Sequence, residues 1–178
     1  SSQWAYVMEV AHSLGIKSTA TIMFGHIDDI DSWVNHFSLI KNVQNKTHGF
    51  TEVVPLPFVH MGSPIYLRGK SMPGPTWDEI VLIHSLARIY FVNLIDNIQA
   101  SWVKLGHDGA GKLLHAGVND LGGTLINENI SRASGADHGQ ETTQDQFIQI
   151  IESENKNPVL RNTLYTEFIE TKNSLEKR

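Results

Sequence analysis

The sequence predicts an α/β fold in which parallel strands alternate with helical crossovers, corresponding to the C-terminal half of a (β/α) TIM-type barrel. Segments with strand character and segments with helical periodicity follow one another four times along the chain. A complete barrel takes about 250 residues, and the 178 residues of this chain are too few for one. The chain also opens within a helical pattern from Trp4 to Leu14 that no strand precedes. We therefore expect upstream sequence to be missing.

Four runs rich in strand-forming residues supply the predicted sheet, at residues 19–24, 51–56, 97–105 and 118–121. The second run ends at Pro55 and Pro57, which cannot donate to a sheet ladder, so we expect the strand to stop there. A long loop over residues 58–76 follows. Loops of this length are commonly functional, and this one carries His60, Tyr66 and Arg68. We expect it to be a binding loop.

Helix signals lie between these runs. Thr76 with Glu79, and Thr143 with Gln146, have the spacing of capping boxes. The first box predicts a helix to about residue 90, and Asp108 is placed to cap a short helix that ends before residue 117. We assign residues 1–155 to the partial barrel and residues 156–178 to a polar tail that we expect to be helical.

The composition excludes several classes of protein. With 40% hydrophobic and 19% charged residues the chain can bury a core. The net charge of −5 and the lack of a basic cluster argue against nucleic-acid binding. No apolar run approaches the ~20 residues that cross a bilayer and no signal-peptide pattern is seen, so we expect a soluble, cytoplasmic protein without a membrane partner. The absence of cysteine excludes disulfides and thiolate metal or cluster ligands within these residues.

In a barrel the active site lies at the C-terminal ends of the strands, which here selects Gly25, His26, residues 57–60, Lys104 and residues 122–124. Polar residues within buried strands must find partners or face a ligand cavity. These polar candidates are Thr19, Thr21, Glu52, Gln99, Ser101 and Asn119. Glu52 is the strongest of them, because a charge in a strand is costly unless it is paired.

Each candidate also has a structural interpretation. His26 and His60 can be hydrogen-bonded residues without a ligand, and Asn119 with Asp120 can bind loop backbone. His26, Glu52 and His60 can alternatively be interpreted as a zinc or iron site, since imidazole and carboxylate suit those metals. Their spacing matches no known ligand motif.

Several longer stretches resemble the radical S-adenosylmethionine enzymes that make the deazaflavin chromophore. They are residues 19–26, 49–58, 97–106, 116–124 and 127–139. The resemblance runs in order to about Tyr165 and implies half of a radical S-adenosylmethionine barrel.

The resemblance also implies a radical reaction. In this family a 4Fe-4S cluster reduces S-adenosyl-L-methionine to a 5′-deoxyadenosyl radical. The 4-hydroxybenzyl group of L-tyrosine is then transferred to 5-amino-6-(D-ribitylamino)uracil, and a companion radical enzyme closes the deazaflavin ring. The family holds its cluster with a CxxxCxxC motif, so we expect the cluster ligands in the missing N-terminal half.

The resemblance implies two sets of binding residues in this sequence, one for S-adenosylmethionine and one for the substrates. The expected S-adenosylmethionine contacts are Thr21, Met23, Gly25, Pro55 and Asn119. The expected substrate contacts are His26, Glu52, His60, Gln99 and Ser101. No catalytic residue and no metal ligand is predicted.

Four possibilities remain open from the sequence. The chain can be a fragment of a complete enzyme or a degenerate, partner-dependent product. It can be a non-catalytic remnant that still binds S-adenosylmethionine, or a metal-dependent lyase or hydrolase that uses histidine and glutamate.

Overall fold

The computed structural model describes residues 1–125, 133–135 and 141–171. The motif predicted over residues 127–139 therefore lies largely outside the described residues. The elements are α1 (Ser2–Ser13), β1 (Ser18–Phe24), α2 (Ile30–Thr47), β2 (Phe50–Pro57), α3 (Pro64–Leu67), α4 (Trp77–Tyr90), α5 (Trp102–Lys112), a 3-10 turn (Leu113–His115), α6 (Gln144–Ser153), β3 (Val159–Arg161) and β4 (Phe168–Glu170).

The sheet is parallel, which confirms the predicted α/β arrangement. β1 and β2 pair in register from Thr19 opposite Glu52 to Phe24 opposite Pro57. Parallel bridges join Val53 to Ile98 and Gln99 to Asp120, so two short segments continue the sheet beyond β2. A closed barrel is not formed by the described residues.

One face of the sheet packs against the helices and forms the core. Ala20, Ile22 and Phe24 alternate along β1 and are each at most 2% exposed. They belong to one apolar cluster with Ile40 of α2 and Ile83 of α4. Burying a large apolar side chain stabilises a fold by about 1.5–3 kcal/mol, so this layer fixes the helices on the sheet.

The other face of the sheet carries the polar residues of the strands. Thr19, Thr21 and Met23 alternate with the core residues of β1, and successive side chains of a strand point to opposite faces. Glu52 lies opposite Thr19 in the register. The common phase predicted for the polar strand residues therefore holds for these two strands.

Helix caps follow the predicted signals. The capping boxes of Thr76 with Glu79 and of Thr143 with Gln146 are both formed, and they begin α4 and α6. Asp29 caps α2 by accepting a hydrogen bond from the Ser32 amide at 2.8 Å. No helix in the described ranges is both long enough and apolar enough to cross a membrane.

The strands predicted at 97–105 and 118–121 are much shorter in the structure. Ile98, Gln99 and Asp120 make the bridges, and α5 already begins at Trp102. The apolar residues Trp102 and Val103 are buried from a helix rather than from a strand. A short apolar run does not distinguish the two. The short helix predicted from Asp108 is the second part of α5, after a break at Gly106 with φ 70°.

β2 ends at Pro57, which confirms that the strand stops at its prolines, although it continues past Pro55. The amide of Val53 donates to the Asn97 carbonyl, on the side of the neighbouring segment. Alternate amides of a strand face the same side, so Pro55 lacks a donor on that side and leaves the pairing with β1 intact. The prolines therefore end the ladder to the third segment, and the ladder to β1 is kept.

The polar tail is not helical where the structure describes it. β3 and β4 form an antiparallel hairpin in which Val159 pairs with Glu170 and Arg161 with Phe168. Tyr165, in the loop, has a positive φ of 57°. The β-branched and aromatic residues of the two strands favour extended backbone. The helix prediction relied on the charged residues of the tail and did not take these strand-forming residues into account.

Candidate functional site

The carboxyl ends of β1 and β2 lie side by side. The Phe58 amide donates to the Phe24 carbonyl at 2.9 Å, and the ring of His26 packs edge-on against Phe58 with centroids 4.8 Å apart. The structure thus brings the strand-end residues Gly25 and His26 next to the start of the long loop, as the barrel rule predicts.

Asp28 organises the turn that follows β1. Its carboxylate accepts hydrogen bonds from the Gly25 amide at 3.1 Å, the His26 amide at 2.8 Å and the Trp33 indole. Partial burial alone would raise the pKa of Asp28, but these hydrogen bonds outweigh it and hold the pKa below its usual value. The carboxylate therefore fixes the backbone around His26.

The loop over residues 58–76 folds back over this end of the sheet. The Met72 amide donates to the His26 carbonyl at 2.7 Å. A Cβ on Gly25 would lie 2.3 Å from the Pro75 side chain, so the loop is in close contact with the strand end. His60 packs edge-on against Tyr66, with ring centroids 4.5 Å apart. The predicted binding loop therefore covers the strand ends and places both histidines there.

Gln99 and Ser101 belong to the third segment of the sheet. Ser101 is 9% exposed and is the N-cap residue of α5. The Gln99 amide lies so close to Gly122 that a Cβ there would be 2.9 Å from its nitrogen. The Trp102 indole donates to the Gly123 carbonyl at 3.2 Å. These contacts join the third segment to the residues after the fourth.

A second group of polar residues, which we call the carboxylate cluster, comprises Thr19, Glu52, Asp120, Arg161 and Tyr165. The Glu52 carboxylate accepts from the Thr19 hydroxyl at 2.8 Å and from the Tyr165 hydroxyl at 2.6 Å. Arg161 donates to both oxygens of Asp120, at 2.6 and 2.9 Å. The Tyr165 hydroxyl is also 3.0 Å from Asp120 Oδ2. The hairpin thus supplies partners for two buried strand carboxylates.

The electrostatics of the cluster favour this pairing. Burial first, and then the hydrogen bond to Glu52 and the charge of Asp120, raise the pKa of the Tyr165 phenol. The hydrogen bonds to Asp120 raise the pKa of Arg161, despite its partial burial. The phenol is therefore neutral and the guanidinium charged throughout the ordinary pH range, as their hydrogen bonds require.

The structure does not bring all of the predicted site residues together. Thr19 and Glu52 lie near the amino ends of β1 and β2, away from His26. Pro55 is almost fully buried. Asn119 accepts hydrogen bonds from Arg88 and from the Ile98 amide, and Arg88 belongs to α4, on the helix side of the sheet.

The zinc or iron interpretation of His26, Glu52 and His60 receives no support. Within the described ranges no group of three or more histidine, aspartate or glutamate side chains is arranged to hold a metal ion. Glu52 uses its oxygens within the carboxylate cluster, at the other end of the strands. The proximity assumed from sequence was therefore wrong.

Asp28, Arg161 and Tyr165 were not among the predicted site residues. For Asp28 a signal was available, since an aspartate just after a strand-end glycine commonly binds nearby backbone amides. Arg161 and Tyr165 gave none, because their partners lie 41 and 113 residues away in sequence.

Comparison with known proteins adds a consistent family assignment. The chain is 50% identical over 163 residues to the 5-amino-6-(D-ribitylamino)uracil–L-tyrosine 4-hydroxyphenyl transferase of Methanopyrus kandleri, covering 92% of this chain and 44% of that protein. It is 47% identical over 163 residues to the enzyme of the same name from Methanocaldococcus jannaschii, covering 92% and 45%. It is 44% identical over 164 residues to the FO synthase of Mycobacterium leprae, covering 92% and 19%.

The chain spans less than half of the length of these relatives. A family model for the CofH/MqnC C-terminal region matches residues 47–174. Because this match extends over more than half of the sequence, the chain belongs to the CofH/MqnC C-terminal region family.

Proposed function

We propose that this chain is part of a radical S-adenosylmethionine enzyme that transfers the 4-hydroxybenzyl group of L-tyrosine to 5-amino-6-(D-ribitylamino)uracil. Residues 1–155 would form the second half of its (β/α) barrel, and residues 156–178 a C-terminal extension. The product is the precursor from which a companion radical enzyme forms the deazaflavin FO. The proposal extends to this chain the reaction in the names of its transferase relatives.

The observation that carries the proposal is the order of the parallel segments. β1, β2, the segment at Ile98 and the segment at Asp120 neighbour one another in chain order. Helices cross between these segments, as in a (β/α) barrel. Identities of 44–50% to the transferases and to an FO synthase support the same family of reactions.

The residues of this chain do not fit a 4Fe-4S cluster. Such clusters are held by cysteine thiolates, and the chain has no cysteine. We therefore derive no step through the cluster and propose that another part of the protein, or a partner, supplies its ligands.

The side chains of Thr21 and Met23 lie on the polar face of β1, where they are available to S-adenosylmethionine. Both are exposed, Met23 by 56%. The cofactor, when bound, supplies the radical chemistry. Thr21 and Met23, with the backbone at Gly25, would form one wall of its site. Pro55 and Asn119 are less available for contact with the cofactor, because Pro55 is buried and the side-chain oxygen of Asn119 already accepts hydrogen bonds.

Substrate binding would fall to the strand ends. His26 lies under the long loop, His60 belongs to that loop, and Gln99 and Ser101 lie on the neighbouring segment. Imidazole, amide and hydroxyl groups can hydrogen-bond the carbonyls of a uracil or the phenol of a tyrosine. Glu52 differs from these residues, since the carboxylate cluster occupies its oxygens.

The test uses the complete protein that contains this chain, prepared anaerobically with its cluster and cofactor. Incubated with both substrates, it should form the tyrosine–aminouracil adduct, detected by mass spectrometry. Cleavage of S-adenosylmethionine without adduct would refute the proposed substrate pair. Binding of S-adenosylmethionine without any cleavage would identify a non-catalytic remnant instead.

A variant locates the site within this chain. H26A should lower the rate of adduct formation by about tenfold, because losing a hydrogen bond of about 1.5 kcal/mol changes a rate or affinity by that factor. H115A is the control, since His115 is exposed and pairs with Glu154, the C-cap residue of α6. Equal rates for H26A and H115A would remove His26 from the site.

A further inference from the structure

We infer that the C-terminal hairpin is a plug held by charge and hydrogen bonds against the polar face of the sheet, at the amino ends of β1 and β2. In this arrangement Glu52 and Asp120 anchor the hairpin and do not contact substrate. The inference concerns the chain itself. It rests on the proposed function only in taking the strand-end site as the substrate side.

Two buried carboxylates on one face of a sheet require partners. Glu52 is 9% exposed and Asp120 is 8% exposed. Removing an ionised carboxylate from water costs several kcal/mol unless a cation and hydrogen-bond donors compensate. β1 and β2 provide one donor, the Thr19 hydroxyl. The Gly122 amide donates to Asp120 at 2.6 Å. In the part of the chain that the structure describes, the other side-chain donors to the two carboxylates are Arg161 and Tyr165 of the hairpin.

Arg161 and Tyr165 are placed by the hairpin for this pairing. Arg161 is the last residue of β3, and its guanidinium lies 4.2 Å from the centroid of the Tyr165 ring. Its two hydrogen bonds to Asp120 have the paired geometry that makes arginine–carboxylate contacts strong. A second contact joins Arg161 to Glu52 at 3.9 Å. One arginine and one phenol thus engage both carboxylates.

Apolar burial contributes little to the attachment. The apolar side chains of the two strands are largely exposed, with Val159 at 45%, Leu160 at 43%, and Phe168 and Ile169 at 62% each. Residues of the hairpin line a cavity of about 840 Å³ together with Phe147 and Ile151 of α6. Since contacts of this kind do not fix the hairpin, the carboxylate cluster is its principal attachment.

The position of the cluster determines what the hairpin closes. Thr19 and Glu52 lie near the amino ends of β1 and β2, whereas Gly25 and His26 follow the carboxyl end of β1. Because β1 and β2 are parallel, their amino ends lie together at one end of the strand pair and their carboxyl ends at the other. The hairpin therefore covers the polar face at the amino ends of β1 and β2, whose carboxyl ends lie under the loop over residues 58–76. At the fourth segment the hairpin binds Asp120 and lines one cavity with residues 122–124.

Hydrogen–deuterium exchange of the whole chain, followed by mass spectrometry, tests the attachment without requiring turnover. In Y165F the peptide over residues 158–171 should exchange about tenfold faster or more, because a hydrogen bond to a charged group contributes about 1.5–3 kcal/mol. Peptides over β1 and β2 should keep the exchange rate of the unmodified chain. Y6F is the matched control, since Tyr6 is 70% exposed.

A double variant tests whether Tyr165 and Glu52 act through each other. In E52Q/Y165F the acceleration should be clearly smaller than the product of the two single accelerations, because both changes remove one contact. If Y165F does not fold, R161K replaces it. R161K keeps the charge but loses the paired donors, and the same peptide should again exchange faster.

Unchanged exchange over residues 158–171 in Y165F would overturn the inference, as would equal acceleration in Y6F. Multiplicative effects in the double variant would overturn the direct link between Glu52 and Tyr165. None of these outcomes depends on the substrates, so a failure of the plug is distinguishable from a failure of the proposed reaction.

Discussion

Replacing His84 with leucine should remove much of the sensitivity of this fold to mild acid. His84 lies on α4 and is fully buried. Its Nδ1 is 2.7 Å from the Ile80 carbonyl, and among the described residues no hydrogen-bond partner lies near its Nε2. Protonating the ring would place a charge in the core beside Phe24. Burial lowers the pKa of His84 from 6.5 to about 4, although the hydrogen bond to Ile80 opposes the shift.

The magnitude follows from proton linkage. The unfolded chain binds a proton at His84 near pH 6.5, whereas the folded chain does so near pH 4. The unfolded state therefore binds more protons between these values, and stability falls as the pH is lowered through them. At 1.36 kcal/mol per pKa unit, the full loss is about 3 kcal/mol at and below pH 4, and about 2 kcal/mol is lost by pH 5.

The assay is urea unfolding at pH 7.5 and pH 5.0, followed by tryptophan fluorescence. Trp33 and Trp102 are buried and report on the core. In H84L the difference in unfolding free energy between the two pH values should be about 2 kcal/mol smaller than in the unmodified chain. The pKa values of His12 and His36 are also lowered by burial. Both residues are present in H84L and in the unmodified chain, so their contributions to the pH dependence cancel in the comparison. H115Q, at an exposed histidine, is the control. Equal pH dependence in H84L and the unmodified chain would refute the reasoning.

Two further changes test local features of the fold. G25A should destabilise the chain by about 1–3 kcal/mol, because Gly25 has φ +80° and a Cβ there would lie 2.3 Å from Pro75. G69A is the control, with φ +66° but open space around it. A smaller urea midpoint change in G25A than in G69A would contradict the close contact. T76A should cost about 1 kcal/mol by removing the capping box of α4. T143A, at the matching box of α6, should behave alike, and no change in urea midpoint for either would contradict the capping argument.

The parts of the fold that the sequence predicted well depend on local patterns. β1 was identified by its run of strand-forming residues, and the capping boxes at Thr76 and Thr143 gave correct starts for α4 and α6. These signals are contained within a few residues. Where the same apolar residues suit both structures, as at Trp102 and Val103, tertiary packing decides, and the predicted strand is a helix.

The candidate site divides in the same way. The strand-end rule located His26 and the loop over residues 58–76 from chain order alone. Glu52 was correctly identified as a buried charge that needs a partner, but its partner Tyr165 lies 113 residues away. Asn119 and Asp120 are adjacent, so their side chains point to opposite faces of the sheet. Which of the two faces the helices depends on the strand register, and the register cannot be derived from a single sequence.

The long separation between Glu52 and Tyr165 has a consequence for synthesis on the ribosome. Domains form from the amino end as the chain emerges, so β1 and β2 can pair well before residues 161–165 have been made. During that interval Glu52 and Asp120 lack their guanidinium and phenol partners, and closing a loop of this size is entropically slow. Until the hairpin is made, the donors left to these two carboxylates among the described residues are the Thr19 hydroxyl and the Gly122 amide. Docking of the hairpin therefore follows the pairing of β1 with β2.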